Sequence, residues 1–257
     1  MEFVHSCGLQ PDEETSKNAV KSGNLKCLTY LARVNCPMNG SELSKIATEN
    51  GFLDILKFLH EQNCYLLTDQ LFLSAVEFGR LDCVEFLLNN NAANYNERAL
   101  AYASTGGHLE ILQYLTNNGF KATTDSPCNS AAAAGYLDCL KHLIELGSPW
   151  SEGTFLYAST HDSASILHYL HENCGSHFNE QAAHAASLSG RVNCLKYLLS
   201  NGCDYDEDSC LSALRIGKKN NHRECMAYLH KRKMNGESNT DGSNSPTSVT
   251  VSHSVFN

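Results

Sequence analysis

The strongest constraint on this sequence is an internal repeat of 27 or 28 residues. Small residues set the period, and an alanine stands four residues before each member of the series. The series is Gly23, Gly51, Gly79, Gly107, Gly135, Asp162, Gly190 and Gly217, and the alanines are Ala19, Ala47, Ala75, Ala103, Ala131, Ala158, Ala186 and Ala213. Eight units that share two such positions indicate a tandem array of one supersecondary unit, not a domain with a single core.

Each unit is predicted to be a helix, a tight turn and a second helix. The second helix carries apolar residues two, four, five and eight positions after the glycine, for example Leu109, Ile111, Leu112 and Leu115. This spacing places them on one face of a helix with 3.6 residues per turn, so the helix is amphipathic. A single hairpin of this length cannot bury its apolar face, so neighbouring units are expected to stack.

The first helix of each unit is predicted to begin about eleven residues before the glycine, at a capping residue followed by an acid. The capping side chain accepts hydrogen bonds from free backbone N–H groups, and the acid complements the helix dipole. The second unit departs from this pattern with Gly40-Ser41. The other pairs are Asp12-Glu13, Thr68-Asp69, Asn96-Glu97, Thr124-Asp125, Ser151-Glu152, Asn179-Glu180 and Asp206-Glu207.

The pattern Ala-x-x-x-Gly-x-Leu-x-x-Leu-x-x-Leu, followed by Asn or Gly, resembles the ankyrin repeat. The stretch from Thr105 to Leu115 matches it best, and Ser126-Pro127 stands where ankyrin repeats place Thr-Pro. An ordinary ankyrin repeat has about 33 residues and begins with Thr-Pro-Leu-His. Here that tetrapeptide is absent, and the missing residues fall in the link between hairpins, where ankyrin repeats build a projecting finger.

The chain therefore looks like the shortened ankyrin repeats found in large arrays in amoebae, oomycetes and giant viruses. The resemblance implies an all-α solenoid of about eight ankyrin-like helix-turn-helix repeats with shortened finger loops. Residues 1–11 are assigned to a partial helix of a truncated N-terminal repeat and residues 12–233 to the array. Residues 234–257 are rich in Ser, Thr, Asn and Gly and are expected to be a disordered tail.

The twelve cysteines are predicted to be structural thiols rather than disulfides. Cys27, Cys83, Cys139, Cys194 and Cys225 occupy one position of the second helix, where other units have isoleucine, which indicates a small buried hydrophobe. Cys36, Cys64 and Cys203 recur at the end of that helix, about 10 Å apart between packed neighbours, which is too far for a disulfide.

Neither a metal site nor a catalytic site is expected. His161, His168, His171, Cys174 and His177 crowd one unit, but their spacing spreads them along a helix and no Cys-x-x-Cys pair is present. The sequence has no Gly-x-Ser-x-Gly, no phosphate-binding glycine loop and no His-Glu-x-x-His. We therefore assign no catalytic residue, no metal ligand and no cofactor.

Charge and hydropathy narrow the expected surroundings of the chain. The formal charge is −9, and no basic stripe offers a surface for nucleic acid. The sequence lacks an apolar run of membrane-spanning length and a signal segment. We expect a monomer that is not secreted and binds no membrane, located in the cytoplasm or in the nucleus.

The positions one and two residues before the glycine vary between units, whereas the framework positions repeat. In ankyrin repeats the corresponding positions border the concave binding face, so the resemblance implies that another protein binds there. Phe78 and His161 are the best anchors, because exposed aromatic residues dominate many interfaces. The predicted partner-binding residues are Lys21, Glu49, Asn50, Glu77, Phe78, Thr105, Thr160, His161 and Leu188.

Other interpretations stay open at this point. Exposed positions also vary when nothing constrains them, so variability alone does not define a site. A helical solenoid that binds a nucleic acid or a small ligand is the alternative function, and the acidic charge argues against nucleic acid. An enzyme is the third choice, and it would need a deep pocket with convergent titratable groups.

The sixth unit is expected to be the weakest. Asp162 replaces the glycine and Ala164 replaces a leucine of the other units. By analogy with large-to-small core substitutions, the missing side chain costs on the order of 2–5 kcal/mol relative to a leucine unit. This unit is predicted to be a soft joint of the array.

Overall fold

A computed structural model of the chain describes residues 11–64, 67–94, 96–174, 180–216 and 220–235. Within these ranges it contains sixteen helices and no strand, so the all-α prediction of eight helical hairpins is confirmed. The chain divides into two compact units, Met1–Ser176 and His177–Asn257. The predicted N-terminal partial helix and nearly all of the predicted tail lie outside the described residues.

The first unit contains six hairpins, each a first helix followed by a second helix. They are α1 (Glu13–Lys21) with α2 (Leu25–Arg33), α3 (Gly40–Asn50) with α4 (Leu53–Glu61), α5 (Asp69–Glu77) with α6 (Leu81–Asn89), α7 (Glu97–Gly106) with α8 (Leu109–Asn117), α9 (Ser126–Ala134) with α10 (Leu137–Glu145), and α11 (Glu152–Thr160) with α12 (Ala164–Cys174). The second unit contains α13 (Glu180–Leu188) with α14 (Val192–Ser200) and α15 (Glu207–Ile216) with α16 (Asn220–Met234).

The hairpins of the first unit stack in chain order. Each first helix contacts the next first helix from α1 through α11, and α4, α6, α8 and α10 contact one another in turn. The repeated alanine lets adjacent first helices approach closely, and Ala47, Ala75 and Ala103 are fully buried. The second helices contribute the larger core side chains, such as Leu112 and Leu115, which are also fully buried. In the second unit α13 packs on α15, and α14 packs on α16.

The helix starts follow the predicted caps with two exceptions. Asp12, Thr68, Asn96 and Ser151 each accept a hydrogen bond from a backbone N–H group of the first turn. In the second hairpin the cap is Asn39, so the predicted Gly40 is already the first helical residue. The fifth first helix begins at Ser126 after Asp125, one residue later than predicted, and Asp125 makes no side-chain cap bond. The predicted cap Asn179 lies outside the described residues.

Adjacent hairpins are joined by the residue that follows the turn glycine. In the first unit this side chain covers the glycine of the preceding hairpin, as Phe52 does at Gly23 and His108 at Gly79. His108 also contacts the preceding first helix, with its Nε2 3.0 Å from the carbonyl oxygen of Glu77. A bond to a carbonyl requires that Nε2 carry the hydrogen. The turn therefore needs glycine for two reasons: its φ is positive, and a side chain would collide with the covering residue of the next hairpin.

Two further side chains cover a turn glycine and contact a carbonyl oxygen at the end of a first helix. Arg80 covers Gly51 and its Nε donates to the carbonyl oxygen of Glu49 at 2.9 Å. In the second unit His222 covers Gly190, with Nε2 3.1 Å from the carbonyl oxygen of Leu188. These contacts satisfy carbonyl groups that the end of the first helix leaves without a partner.

The start of a first helix contacts the link that leaves the same hairpin. The clearest case is Glu97, whose carboxylate accepts hydrogen bonds from the backbone N–H groups and the hydroxyls of Thr123 and Thr124, at 2.8–2.9 Å. Asp69 accepts one bond of this kind from the backbone N–H of Asn94 at 2.8 Å. Glu97 and Asp69 therefore hold their links in place, in addition to complementing the helix dipole.

We expect the link that Glu97 holds to make stability depend on pH. Burial raises the pKa of Glu97, but the hydrogen bonds from Thr123 and Thr124 outweigh it and hold the pKa below its usual 4.5. Because the folded pKa is the lower one, the stabilisation is complete above the unfolded pKa and is lost as pH falls through the folded pKa. Glu97→Gln should lower the melting temperature at pH 7 and have a smaller effect near pH 3. Thermal unfolding followed by circular dichroism measures both, with Glu152→Gln as the control; an equal effect at both pH values would contradict this assignment.

The sixth hairpin departs from the others at its turn. Asp162 adopts the left-handed conformation that glycine occupies elsewhere, with φ 63°, which is strained for a residue with a side chain. Ala164 is half-buried, as are the equivalent Leu109 and Leu137, so the loss relative to leucine falls at the lower end of about 2–5 kcal/mol. Ser163 covers Gly135 and donates to the carbonyl oxygen of Ala132 at 3.3 Å.

We expect backbone amides in residues 154–172 to exchange faster with deuterium than those of α9 and α10. The cause is the strained turn at Asp162 together with the small side chain at Ala164. Native-state hydrogen exchange measured by mass spectrometry compares the two segments directly. Exchange in 154–172 as slow as in α9 and α10 would remove the case for a soft joint.

Candidate binding face

The predicted partner-binding residues lie at the C-terminal ends of the first helices. Eight of them lie in the first unit, where six are exposed and two, Glu49 and Thr160, are half-buried. Leu188 is exposed and belongs to the second unit. The exposed residues of the first unit are Lys21, Asn50, Glu77, Phe78, Thr105 and His161. We call the surface formed by the first helices of the first unit the first-helix face.

The structure brings three of the predicted residues together at one groove between α3 and α5. This Phe78 groove has a volume of about 670 Å³ and is lined by Glu49, Glu77 and Phe78 together with residues that include Ser44, Lys45, Leu71 and Ser74. Leu71, Ser74 and Ser44 are buried and form its floor. Phe78 is the C-cap of α5 and is 46% exposed. Aromatic side chains are enriched at protein interfaces and in the lining of binding pockets.

Of the two glutamates that line the Phe78 groove, Glu49 has a basic partner nearby and Glu77 does not, within the described residues. Lys45 Nζ lies 3.8 Å from Glu49 Oε1, at the limit of an ion pair, and the lysine side chain is 63% exposed. Such a pair contributes little to stability. Within the described residues no cation pairs with the Glu77 carboxylate, whose residue is exposed. The groove can therefore take up a further positive charge.

A second groove lies between α7, α9 and α11, and two further predicted residues line it. This His161 groove has a volume of about 440 Å³, and its lining includes Thr105, His161, Tyr157, Ala133 and Ala134. His161 Nδ1 lies 2.7 Å from Thr160 Oγ1 and 3.1 Å from the carbonyl oxygen of Tyr157, which fixes the ring at the end of α11. The small alanines leave room beside the two rings.

Tyr157 was missed by the sequence prediction. It is 47% exposed, as much as Phe78, and lies one helical turn before the variable positions used for the prediction. The signal was present, because its equivalents in the other units also vary. They are Asn18, Ile46, Ser74, Tyr102, Ser130, Ala185 and Ser212.

The remaining predicted residues do not join either groove. Lys21 pairs with Glu14 at 3.6 Å, and both side chains are largely exposed. Asn50 donates to the carbonyl oxygen of Ile46 at 2.8 Å and lines a smaller pocket with Arg80. Thr160 donates to the carbonyl oxygen of Tyr157 at 2.9 Å. These three residues are occupied locally and are weaker candidates for contact with a partner.

Eight of the described cysteines are buried core side chains, whereas Cys27, which was predicted to be buried, is half-buried, as are Cys64 and Cys174. All eleven cysteines in the described residues are free, and Cys83, Cys139, Cys194 and Cys225 are at most 1% exposed. Burial raises the pKa of the Cys83 and Cys139 thiols to about 11, so they are neutral and poor nucleophiles at neutral pH. The repeated cysteine position is thus part of the packing between helices.

The histidines of the sixth unit lie at the end of α11, His161, and along α12, His168 and His171. Across the described ranges, no three His, Cys, Asp or Glu side chains are placed to hold a metal ion. His177, one of the five considered, lies outside those ranges. In the same part of the chain, every helix is too short or too polar to cross a bilayer.

Comparison with known proteins identifies the family of the chain. The family described as "Ankyrin repeats (3 copies)" matches residues 43–126, 71–153 and 129–208, which together exceed half of the chain. The crystal structure of the human ASB11 ankyrin repeat domain is similar, with a TM-score of 0.55 and 20% sequence identity over 72% of this chain and 96% of that chain. No curated protein matches. The chain belongs to the ankyrin repeat family.

Proposed function

We propose that this chain is an interaction module, a scaffold or adaptor that binds another protein through the first-helix face. Ankyrin repeats are generally protein–protein interaction modules, and their proteins typically act by binding rather than catalysis. The observation that carries the proposal is Phe78, 46% exposed at the edge of the groove that Glu49 and Glu77 also line. The chain acts as a monomer in the cytoplasm or the nucleus, where its thiols stay reduced.

Two grooves with exposed aromatic residues support the first-helix face as the binding surface. It carries two grooves, the Phe78 groove and the His161 groove, each with an aromatic residue close to half exposed, Phe78 and Tyr157. Buried aromatic anchors contribute most of the affinity in many interfaces, while surrounding polar contacts exclude water. On this basis Phe78 and Tyr157 are the anchors, and Glu49, Glu77 and His161 form the polar surroundings.

The test is photo-crosslinking from a single position. A benzoylphenylalanine at position 78 should form an adduct with one partner in an extract of the cells that make this protein. The same group at Leu146, which is 57% exposed at the C-cap of the second helix α10, is the matched control. Phe78→Ala should lower the affinity for the captured partner by about 2 kcal/mol, roughly thirtyfold, and Leu146→Ala should leave it unchanged.

The outcomes separate the possible surfaces. An adduct from position 78 alone supports the proposal, provided that circular dichroism shows an unchanged helix content. An adduct from position 146 alone would move the binding surface to the second helices. Equal adducts from both positions would mean that the captured protein binds without a defined face, which contradicts the proposal.

A further inference from the structure

The Phe78 groove has the features of a receptor for one positively charged side chain. The aromatic ring offers a face for the cation and for the apolar part of a long side chain, and the buried Leu71 continues this apolar surface into the floor. Two carboxylates, those of Glu49 and Glu77, stand on the same lining as the ring. A guanidinium near an aromatic face and near carboxylates gains from both contacts.

Charge complementarity favours a cationic guest over a neutral or acidic one. The first helices of the first unit carry eight acids and four basic residues. Lys17 is already paired with Glu42, and Lys21 with Glu14. Among the described residues that line the groove, Lys45 is the only basic one, and its pairing distance to Glu49 is long. The lining therefore keeps one carboxylate in excess.

We propose that the partner inserts an arginine from a basic segment into the Phe78 groove, with its guanidinium at Glu49 and Glu77 and its methylene groups on Phe78. This proposal rests on the proposed function and names the chemistry of the partner. Arginine fits better than lysine because its planar guanidinium stacks on a ring and can bond two carboxylates at once. The guest displaces the Lys45 ammonium, which loses little because that pair is exposed and long.

The test uses the full chain and two fluorescent probe peptides of equal length. One alternates arginine and leucine, and the other replaces every arginine with citrulline, which keeps the shape but removes the charge. By fluorescence anisotropy the arginine peptide should bind roughly tenfold more tightly, since an exposed ion pair and a cation–π contact together contribute about that much. The difference should shrink as salt is added.

Three variants localise the effect. Glu49→Gln with Glu77→Gln should remove the preference for the arginine peptide, and Lys45→Ala should increase it by removing the competing cation. Glu145→Gln removes an exposed acid from the last turn of α10 and should leave the preference unchanged. Circular dichroism checks that each variant remains folded.

The results that would contradict the arginine receptor differ from those that would contradict the proposed function. Equal binding of the two peptides, or no binding of the arginine peptide, would overturn the arginine receptor. Because the double variant removes two charges and Glu145→Gln removes one, a weakening by Glu145→Gln of about half or more of that of the double variant would reduce the effect to the general negative charge of the chain. In either case a crosslink from position 78 to a cellular partner would leave the proposed function standing with a partner of different chemistry.

Discussion

Gly40→Ala should destabilise the first unit by at least about 2 kcal/mol, although glycine to alanine in a helix ordinarily stabilises by about 0.5–1 kcal/mol. Gly40 is the first residue of α3 and is buried. A methyl group there would overlap the carbonyl group of Cys64 and lie 2.9 Å from the Cys64 Cβ. Backbone cannot rotate out of the way as an exposed side chain can, so the start of α3 or the link after α4 must shift.

Gly153→Ala is the matched control for this substitution. Gly153 also lies in the first turn of a first helix, and the nearest atom to an added methyl is the hydroxyl oxygen of Ser151 at 3.1 Å, a contact that a shift of a few tenths of an ångström relieves. Urea unfolding should show a lower midpoint for Gly40→Ala and nearly no change for Gly153→Ala, at a similar slope. Equal midpoints for the two variants would show that the link at Cys64 yields without cost.

The second large effect is expected for Leu112→Ala, at about 2–5 kcal/mol. Leu112 is fully buried in α8, in the middle of the first unit, where hairpins on both sides limit collapse around the cavity. Losing the side chain removes its burial and leaves part of the cavity unfilled. In a stack stabilised by nearest-neighbour contacts, this loss weakens the adjoining hairpins as well.

Leu146→Ala measures what the same chemical change does on the surface. Leu146 is 57% exposed, so its replacement should alter the unfolding free energy by less than about 0.5 kcal/mol. Urea unfolding of the two variants beside the parent protein gives both values. A loss for Leu112→Ala no larger than for Leu146→Ala would contradict the assigned core.

The sequence was sufficient for the hairpins because each repeat restates the same physical requirements. The spacing of Leu109, Ile111, Leu112 and Leu115 fixes a buried helical face, and the recurring glycine fixes the turn. Local patterns do not reveal contacts between distant residues. That is why Gly40 looked like an exception to the capping pattern, although the backbone at Cys64 accounts for it. The four hydrogen bonds at Glu97 were hidden for the same reason.

The exposed positions of the proposed binding face were partly predictable. Variation between units correctly singled out exposed positions such as Phe78 and His161, because repeats with a common framework differ where packing does not constrain them. It could not show that Glu49, Glu77 and Phe78 share one groove while Asn50 lies at another pocket, since that depends on how neighbouring helices pack. Tyr157 was missed because the prediction rested on only two positions per repeat.

The side chains that cover the turn glycines make the contact between neighbouring hairpins asymmetric, because the covering residue comes from the following hairpin. In the first unit each turn glycine is covered by a residue that belongs to the next hairpin, as Arg80 covers Gly51 and His108 covers Gly79. A hairpin cut out at its own sequence boundaries would leave its turn open and carry away the cover of its predecessor. An exchange of repeats between such proteins therefore has to move a turn together with the residue of the next hairpin that covers it. The unit that can be exchanged is thus offset along the chain from the helical hairpin.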